Sequence, residues 1–381
     1  MPSRAVKRAY RYRFYPTDQQ RELLNRTFGC VRYVYNRALA ERHRAWFQGG
    51  KRINYVETAK MLTAWKQESE VAWLQEVSNV PLQQALRHLQ GAYAAFWEKR
   101  AKYPTFKSKR KSQPSATFTA GNSFTFRDGR IKLAKCSEPL NIVWSRPLPE
   151  SAHPSSVTVS RDTADRWFIS ILVEEAIAAL PPAGTSVGID AGITALVTLS
   201  TGEKVTNPKH EQHDRDRLAK AQRNLARKEK GSANRAKARL KVARIHARIA
   251  DRRRDTLHKL STKIIRENQT VVIEDLSVRN MVRNHSLARA IHDASWSGLR
   301  RQLEYKADWY GRTVIAIDRF YPSSKTCSAC GRINPNMPLN VRTWICPCGA
   351  VHDRDVNAAR NILAAGLAVS VSGDGVRPPR A

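Results

Sequence analysis

The chain is poor in acids. Its 381 residues hold 33 Asp and Glu against 66 Lys and Arg, a net charge of +33 and a pI near 10.5. Self-repulsion on that scale argues against a merely solvated basic surface and points to a polyanion bound with counterion release. Long apolar runs are missing as well. No stretch approaches the roughly 18 residues of a membrane span, and no basic amphipathic anchor stands out, so no membrane partner is expected. The opening M-P-S-R-A-V-K-R-A-Y has no apolar h-region, so no signal peptide is expected and the location reads as cytoplasmic. Cysteines number six, and in a cytosolic compartment disulfides are rare. Cys30 and Cys136 stand alone and read as core or incidental. There is no phosphate-cradling loop, no Gly-rich dinucleotide fingerprint, no Ser/His/Asp arrangement and no internal repeat. The 41% hydrophobic content leaves a globular protein large enough for two or three domains, each with its own core.

What is present divides by period. Over 4–16, Tyr10, Tyr12 and Phe14 alternate with Arg11 and Arg13, the pattern of a half-buried strand. Thr17 and Gln20 form a capping box ahead of Leu23, Leu24, Phe28, Val31 and Val34 at helical spacing, and Gly49-Gly50 stops that helix. Helices follow from Val56 to Glu70 and from near Pro81, the latter with Leu82, Leu86, Leu89, Tyr93 and Phe96 on one face. Residues 17–100 thus read as a helical domain. Residues 101–180 turn to strands, including a hairpin around Asp128-Gly129. Together with 1–16 they read as a β-barrel-like domain interrupted by the helices. Pro181–Gly184 marks a boundary. Beyond it the pattern is α/β over 181–322 and 352–365, with a disordered tail expected over 366–381.

Three carboxylates stand out. Asp190 ends the apolar run V-G-I-D, Glu274 ends T-V-V-I-E, and Asp355 opens a helix rich in small residues. A phosphodiester repels nucleophiles, and two Mg²⁺ ions held by carboxylates about 4 Å apart can position water and neutralise the leaving oxygen. A fold that gathers these strand ends would converge all three. Asp275 remains a rival to Glu274, and Asp353 and Asp355 are alternative helix caps.

The remaining four cysteines have metal-ligand spacing: Cys327-x-x-Cys330, fifteen residues, then Cys346-x-Cys348. They suit one tetrahedral, structural Zn²⁺, with His352 as an available substitute for the shortened second knuckle. Residues 209–266 carry 20 Lys/Arg against 6 Asp/Glu, a surplus of 14 that favours a surface for nucleic-acid backbone. Tyr10, Arg11, Tyr12 and Arg13, with Lys107, Lys109, Arg110 and Lys111, form a second basic group able to meet RNA.

The chain resembles the TnpB family, the RNA-guided DNA endonucleases of small insertion sequences related to type V CRISPR effectors. The resemblance rests on F-Y-P-T-D-Q-Q, G-C-V-R-Y-V-Y-N-R-A-L, Y-P-T-F-K-S-K-R, G-I-D-A-G-I, I-E-D-L and Y-P-S-S-K-T-C-S-A-C-G through H-D-R-D-V-N-A-A-R-N-I. It implies a multidomain α+β protein. Residues 181–322 and 352–365 would be an RNase H-like (RuvC) α/β nuclease domain with Asp190, Glu274 and Asp355 as Mg²⁺ ligands, and 323–351 an inserted zinc-binding knuckle. A wedge barrel (1–16 and 101–180) would be interrupted by a helical recognition domain (17–100). It also implies a non-coding guide RNA from the element's end, held by a protein monomer, pairing with one strand of a double-stranded DNA target beside a short motif. Tyr55, Asn79 and Gln83 fall where relatives read that motif, and Asn and Gln suit adenine edges; Asn79 has the alternative of capping the helix at Pro81. Water would be the nucleophile, leaving 3′-hydroxyl and 5′-phosphate ends, in a cytoplasmic, nucleoid-associated setting. The competing readings are a DDE-type transposase and a non-cleaving RNA-guided repressor.

Overall fold

A computed structural model describes residues 3–149, 152–338 and 340–372. The chain divides into two compact units, Ala5–Glu175 and Ala176–Ala381 with Met1–Arg4.

In the first unit, β1 (Ser3–Tyr15) leads into α1 (Asp18–Gly49), α2 (Tyr55–Trp65) and α3 (Asn79–Trp97). The strands β2 (Ser115–Thr119), β3 (Phe124–Arg127), β4 (Arg130–Leu133), β5 (Asn141–Val143), β6 (Ser156–Arg161) and β7 (Trp167–Ala178) follow. Thr17 caps α1 with the expected capping box, and Gly50 ends it in the left-handed region at φ 61°. Asp128 and Gly129 turn β3 into β4 at φ 49° and 68°, the positive dihedrals a two-residue hairpin needs. Five strands form one sheet in the order β2-β6-β7-β1-β5. The expected second helix stops at Trp65, and a 3-10 segment occupies Ser69–Gln75. The helices and this sheet do not have separate cores. Phe28, Leu39, Leu86 and Leu89 join Phe14, Trp167, Ile169 and Ile171 in one cluster, because neither the α1 face nor the sheet's inner face is covered without the other. Tyr10 and Tyr12 lie in that core, which removes them as stacking partners for RNA.

In the second unit, β8 (Ser186–Ala191), β9 (Ala195–Leu199) and β10 (Lys204–Thr206) precede a hairpin of two helices, α4 (His210–Ala226) and α5 (Ala233–Glu267). Then come β11 (Thr270–Glu274), α6 (Val278–Met281), α7 (Ala288–Ala294), α8 (Trp296–Tyr310) and β12 (Thr313–Ile317). The short hairpin β13 (Thr343–Ile345) and β14 (Val351–Asp353) runs into α9 (Arg354–Ser372). The sheet order is β10-β9-β8-β11-β12, with β8-β11 and β11-β12 parallel. Of the three parallel strands, β8 and β11 read as near-continuous apolar runs because helices cover both faces. α9 continues to Ser372, so residues 366–372 are helical rather than part of a tail; 373–381 lie outside the described residues. Gly366 does not break the helix because it sits where α9 touches the sheet: a Cβ there would fall 2.7 Å from Val272 Cγ2. Among the described residues no helix is long and apolar enough to cross a membrane.

Candidate active site and metal centre

Two strands and one helix gather the three carboxylates. β8 and β11 pair Val187 with Val271 and Ile189 with Ile273. Asp190 and Glu274 come one residue later, side by side at the C-terminal ends of parallel strands. Side chains alternate across a sheet. Val187, Ile189, Val271 and Ile273 pack with residues of α5 and α8, which turns Gly188, Asp190, Val272 and Glu274 to the opposite face. There Val272 meets Ile315, Ile317 and Ile362, so α9 covers that face. Gly188 permits the close approach, since a Cβ would strike the Ala359 carbonyl and lie 2.7 Å from Leu363 N. Asp355 stands one helical turn before Ala359, at the open end of this contact.

Electrostatics reports the same convergence. Burial pushes the Asp190 carboxyl up to about 7, reinforced by the negative charges of Glu274 and Asp355 and opposed by Arg354. Burial also raises Glu274, opposed by a hydrogen bond from Ser323 Oγ to its Oε1 at 2.6 Å. A buried carboxylate raised by acidic neighbours, as Asp190 is, gains most from a hard divalent cation, whose charge removes the repulsion. The rival acids are occupied elsewhere. Asp275 is held below the usual carboxylate range by Arg300 and then Arg319, both of which donate to it. Asp353 accepts from Val356 N at 3.0 Å and pairs with Lys204 at 2.6 Å, so it takes the capping role. Asp355 meets Arg342 at 3.6 Å.

The four clustered cysteines converge with all ligand atoms within 4.8 Å of one another. Cys327 and Cys348 sulfurs are 3.8 Å apart, and those of Cys330 and Cys346 3.7 Å. Four thiolates around zinc stand about 3.8 Å apart when each bond is about 2.3 Å, so the set fits a closed tetrahedral site despite the shortened second knuckle. His352 is buried and stacks near Trp344. Its Nε2 lies 3.0 Å from Cys327 Sγ, which makes it a hydrogen-bond partner of a ligand rather than a fifth donor. Cys30 and Cys136 are buried apart from this group, and burial pushes Cys30 up to about 11.

The expected nucleic-acid contacts fare unevenly. Asn79 and Gln83 share a face of α3 at i and i+4. Arg87, one turn further, covers the Tyr55 ring at 4.8 Å, so the structure strings these residues along one surface and adds Arg87 to them. Asn79 does not cap α3: Ser78 holds that position, and Asn79 Oδ1 accepts from Lys66 Nζ at 2.6 Å. Lys109 and Arg110 are exposed, whereas Lys107 lies over the Tyr35 ring at 3.9 Å and burial lowers its pKa. Its ammonium is spent on packing, and the sequence offered no sign of this because the Tyr35 partner is remote. On the α4–α5 hairpin, a cleft of 640 Å³ is lined by Arg217, Lys220, Lys241, Arg244 and Arg248.

Known proteins resemble this chain. A family profile described as "Probable transposase", OrfB of IS605, matches residues 168–285; a Cas12f1-like TNB domain profile matches 296–362. A profile described as a helix-turn-helix domain matches 1–51, where the structure has one strand and one unbroken helix. A Streptomyces pristinaespiralis protein provisionally named an RNA-guided DNA endonuclease is 64% identical, with 98% of this chain and 93% of that protein covered. The Escherichia coli (strain K12) protein provisionally named RNA-guided DNA endonuclease InsQ is 36% identical over 98% of this chain and 95% of its own. The protein in a cryo-EM structure of a Cas12f1–sgRNA–target DNA complex shares the fold, with a TM-score of 0.58 at 12% identity over 94% of this chain and 98% of that one.

Proposed function

The chain belongs to the TnpB (IS605 OrfB) family, whose full-length relatives carry RNA-guided DNA endonuclease names, and from this premise we propose that it cleaves double-stranded DNA at a site chosen by a bound RNA. The observation that carries the chemistry is the convergence of Asp190, Glu274 and Asp355 under α9. Carboxylates at the ends of two adjacent parallel strands of a mixed sheet support the RNase H-like (RuvC) reading of this unit. The sheet β2-β6-β7-β1-β5 corresponds to the wedge, and α1–α3 to the recognition helices.

Asp190, Glu274 and Asp355 are the residues that would hold two Mg²⁺ ions. Bound magnesium supplies charge neutralisation at the scissile phosphate and acidifies an attacking water. The protein's own groups do the rest. Asp190 and Glu274, on adjacent strands, fix two ligand positions rigidly, and Asp355 adds a third from the opposite layer. The cysteine set would hold one structural Zn²⁺, anchoring the segment before α9. Cations along α4 and α5 face phosphate backbone without reading sequence, so target choice rests on base pairing to the RNA. Tyr55, Asn79, Gln83 and Arg87 would read a short duplex motif, with Lys109 and Arg110 on the backbone.

Full-length relatives named as RNA-guided endonucleases disfavour a DDE-type transposase, and an intact carboxylate set disfavours a non-cleaving repressor. The test uses the chain purified with its RNA and a plasmid carrying the matching target. Glu274→Gln and Asp355→Ala abolish cleavage and leave RNA-directed binding in place. Cutting at the wild-type rate by either variant removes that carboxylate from the site.

A further inference from the structure

We propose that Ser323 is a positioning residue for Glu274, tying the cysteine segment to the carboxylate site; the proposal rests on the nuclease reading above. Ser323 is 7% exposed and its Oγ donates to Glu274 Oε1 at 2.6 Å. A hydroxyl has one hydrogen to give. Spent on one carboxylate oxygen, it anchors the group's plane and leaves the lone pairs of the other oxygen for a cation.

Ser323 is itself held from α9. Its carbonyl accepts from Asn361 Nδ2 at 2.8 Å, and the same amide reaches the Thr326 carbonyl at 2.6 Å. Asn357, one turn earlier, donates to that carbonyl at 2.7 Å and accepts from Ser328 N at 2.9 Å. Both amides are almost wholly buried, at 1% and 4% exposed. Asp355 lies two residues before Asn357 on the same helix. One end of α9 therefore presents a carboxylate and, through two buried amides, fixes the loop whose serine orients a second carboxylate. That loop continues directly into Cys327 and Cys330. A loop that merely crossed the helix would need none of these bonds. A satisfied buried network instead sets distances rigidly.

The reading separates from simple packing by what is lost. If Ser323 only satisfies a buried acid, its removal lowers stability and spares metal affinity. If it positions Glu274, metal affinity falls while the fold stays. The test titrates Mn²⁺ into the full chain with its RNA, followed by electron paramagnetic resonance, alongside zinc content, melting temperature, guided DNA binding and cleavage rate. Ser323→Ala weakens Mn²⁺ half-saturation and slows turnover by about tenfold or more, the scale of one hydrogen bond to a charged group. Zinc content and guided DNA binding stay at wild-type values, and Ser323→Thr restores Mn²⁺ affinity together with any melting lost with the hydrogen bond. Asn361→Leu moves Mn²⁺ affinity in the same direction with zinc retained. Wild-type Mn²⁺ affinity in Ser323→Ala overturns the proposal, as does a loss of zinc with early melting that Ser323→Thr fails to repair. Asp190→Ala run in parallel separates the causes. If it still cuts, the nuclease reading has failed; if it is inactive while Ser323→Ala is normal in every readout, only the coupling has.

Discussion

Replacing Asp190 with Asn should make the metal-free protein more stable at pH 8. Asp190 is raised from 3.8 to about 7 by burial and by Glu274 and Asp355. An acid raised on folding binds its proton more tightly in the native state. Its cost is therefore absent below the unfolded value, grows as pH climbs from about 4, and is complete above about 7. Fully expressed, that rise corresponds to about 4 kcal/mol, and about half of that once the partial exposure of the carboxylate is allowed for. Asn has the same shape and no charge, so it removes the cost. In a unit of this size a gain of about 2 kcal/mol raises its melting transition by about 4–8 °C at pH 8. By pH 5 most of it has gone, because wild-type Asp190 is then protonated in the folded state. Calorimetry in chelator at the two pH values measures it. Adding Mg²⁺ should stabilise the wild type and do less for the variant. A gain of equal size at both pH values, or none at pH 8, would show that Asp190 does not carry this electrostatic load.

Three further outcomes are expected. Gly188→Ala drives a methyl into the Ala359–Leu363 stretch of α9; backbone cannot yield as a side chain can, so we expect a loss of about 3 kcal/mol or more together with loss of cleavage, read by denaturant titration and a plasmid assay. Cys327→Ser leaves three thiolates and releases zinc, which elemental analysis detects; because thiolate-bound zinc contributes directly to folding, melting of the second unit falls. Reversing Arg217, Lys241 and Arg244 to Glu on the α4–α5 hairpin weakens RNA binding and lowers the slope of log affinity against log salt by about 2 to 3, measured by filter binding across a salt series.

The legible part of this protein was local. Thr17 with Gln20, the Gly49-Gly50 helix stop, the Asp128-Gly129 hairpin and the strand runs ending in Asp190 and Glu274 are each decided by a few neighbouring residues. Propensity and period therefore announce them. The cysteine spacing belongs to the same class, since two short knuckles bring four sulfurs together with little help from the rest of the chain. Charge surplus is also a property of composition alone, and it pointed to nucleic acid before any element was placed.

Other features depended on partners far apart in sequence. That Lys107 rests on Tyr35, that Tyr10 and Tyr12 lie in a core shared by helices and sheet, and that Asp275 is taken up by Arg300 and Arg319 follow from packing that no local pattern encodes. The choice between Glu274 and Asp275 is the clearest case. The period of two places adjacent residues on opposite sides of a strand, but which side α9 would cover was settled only when Gly188 and Gly366 let it dock. The same docking brought Asp355 to the strand ends and Ser323 to Glu274. Sequence determined which carboxylates and thiols were available; long-range packing decided which of them share a site, because a site of this kind is made of distances between elements and not of residues within one.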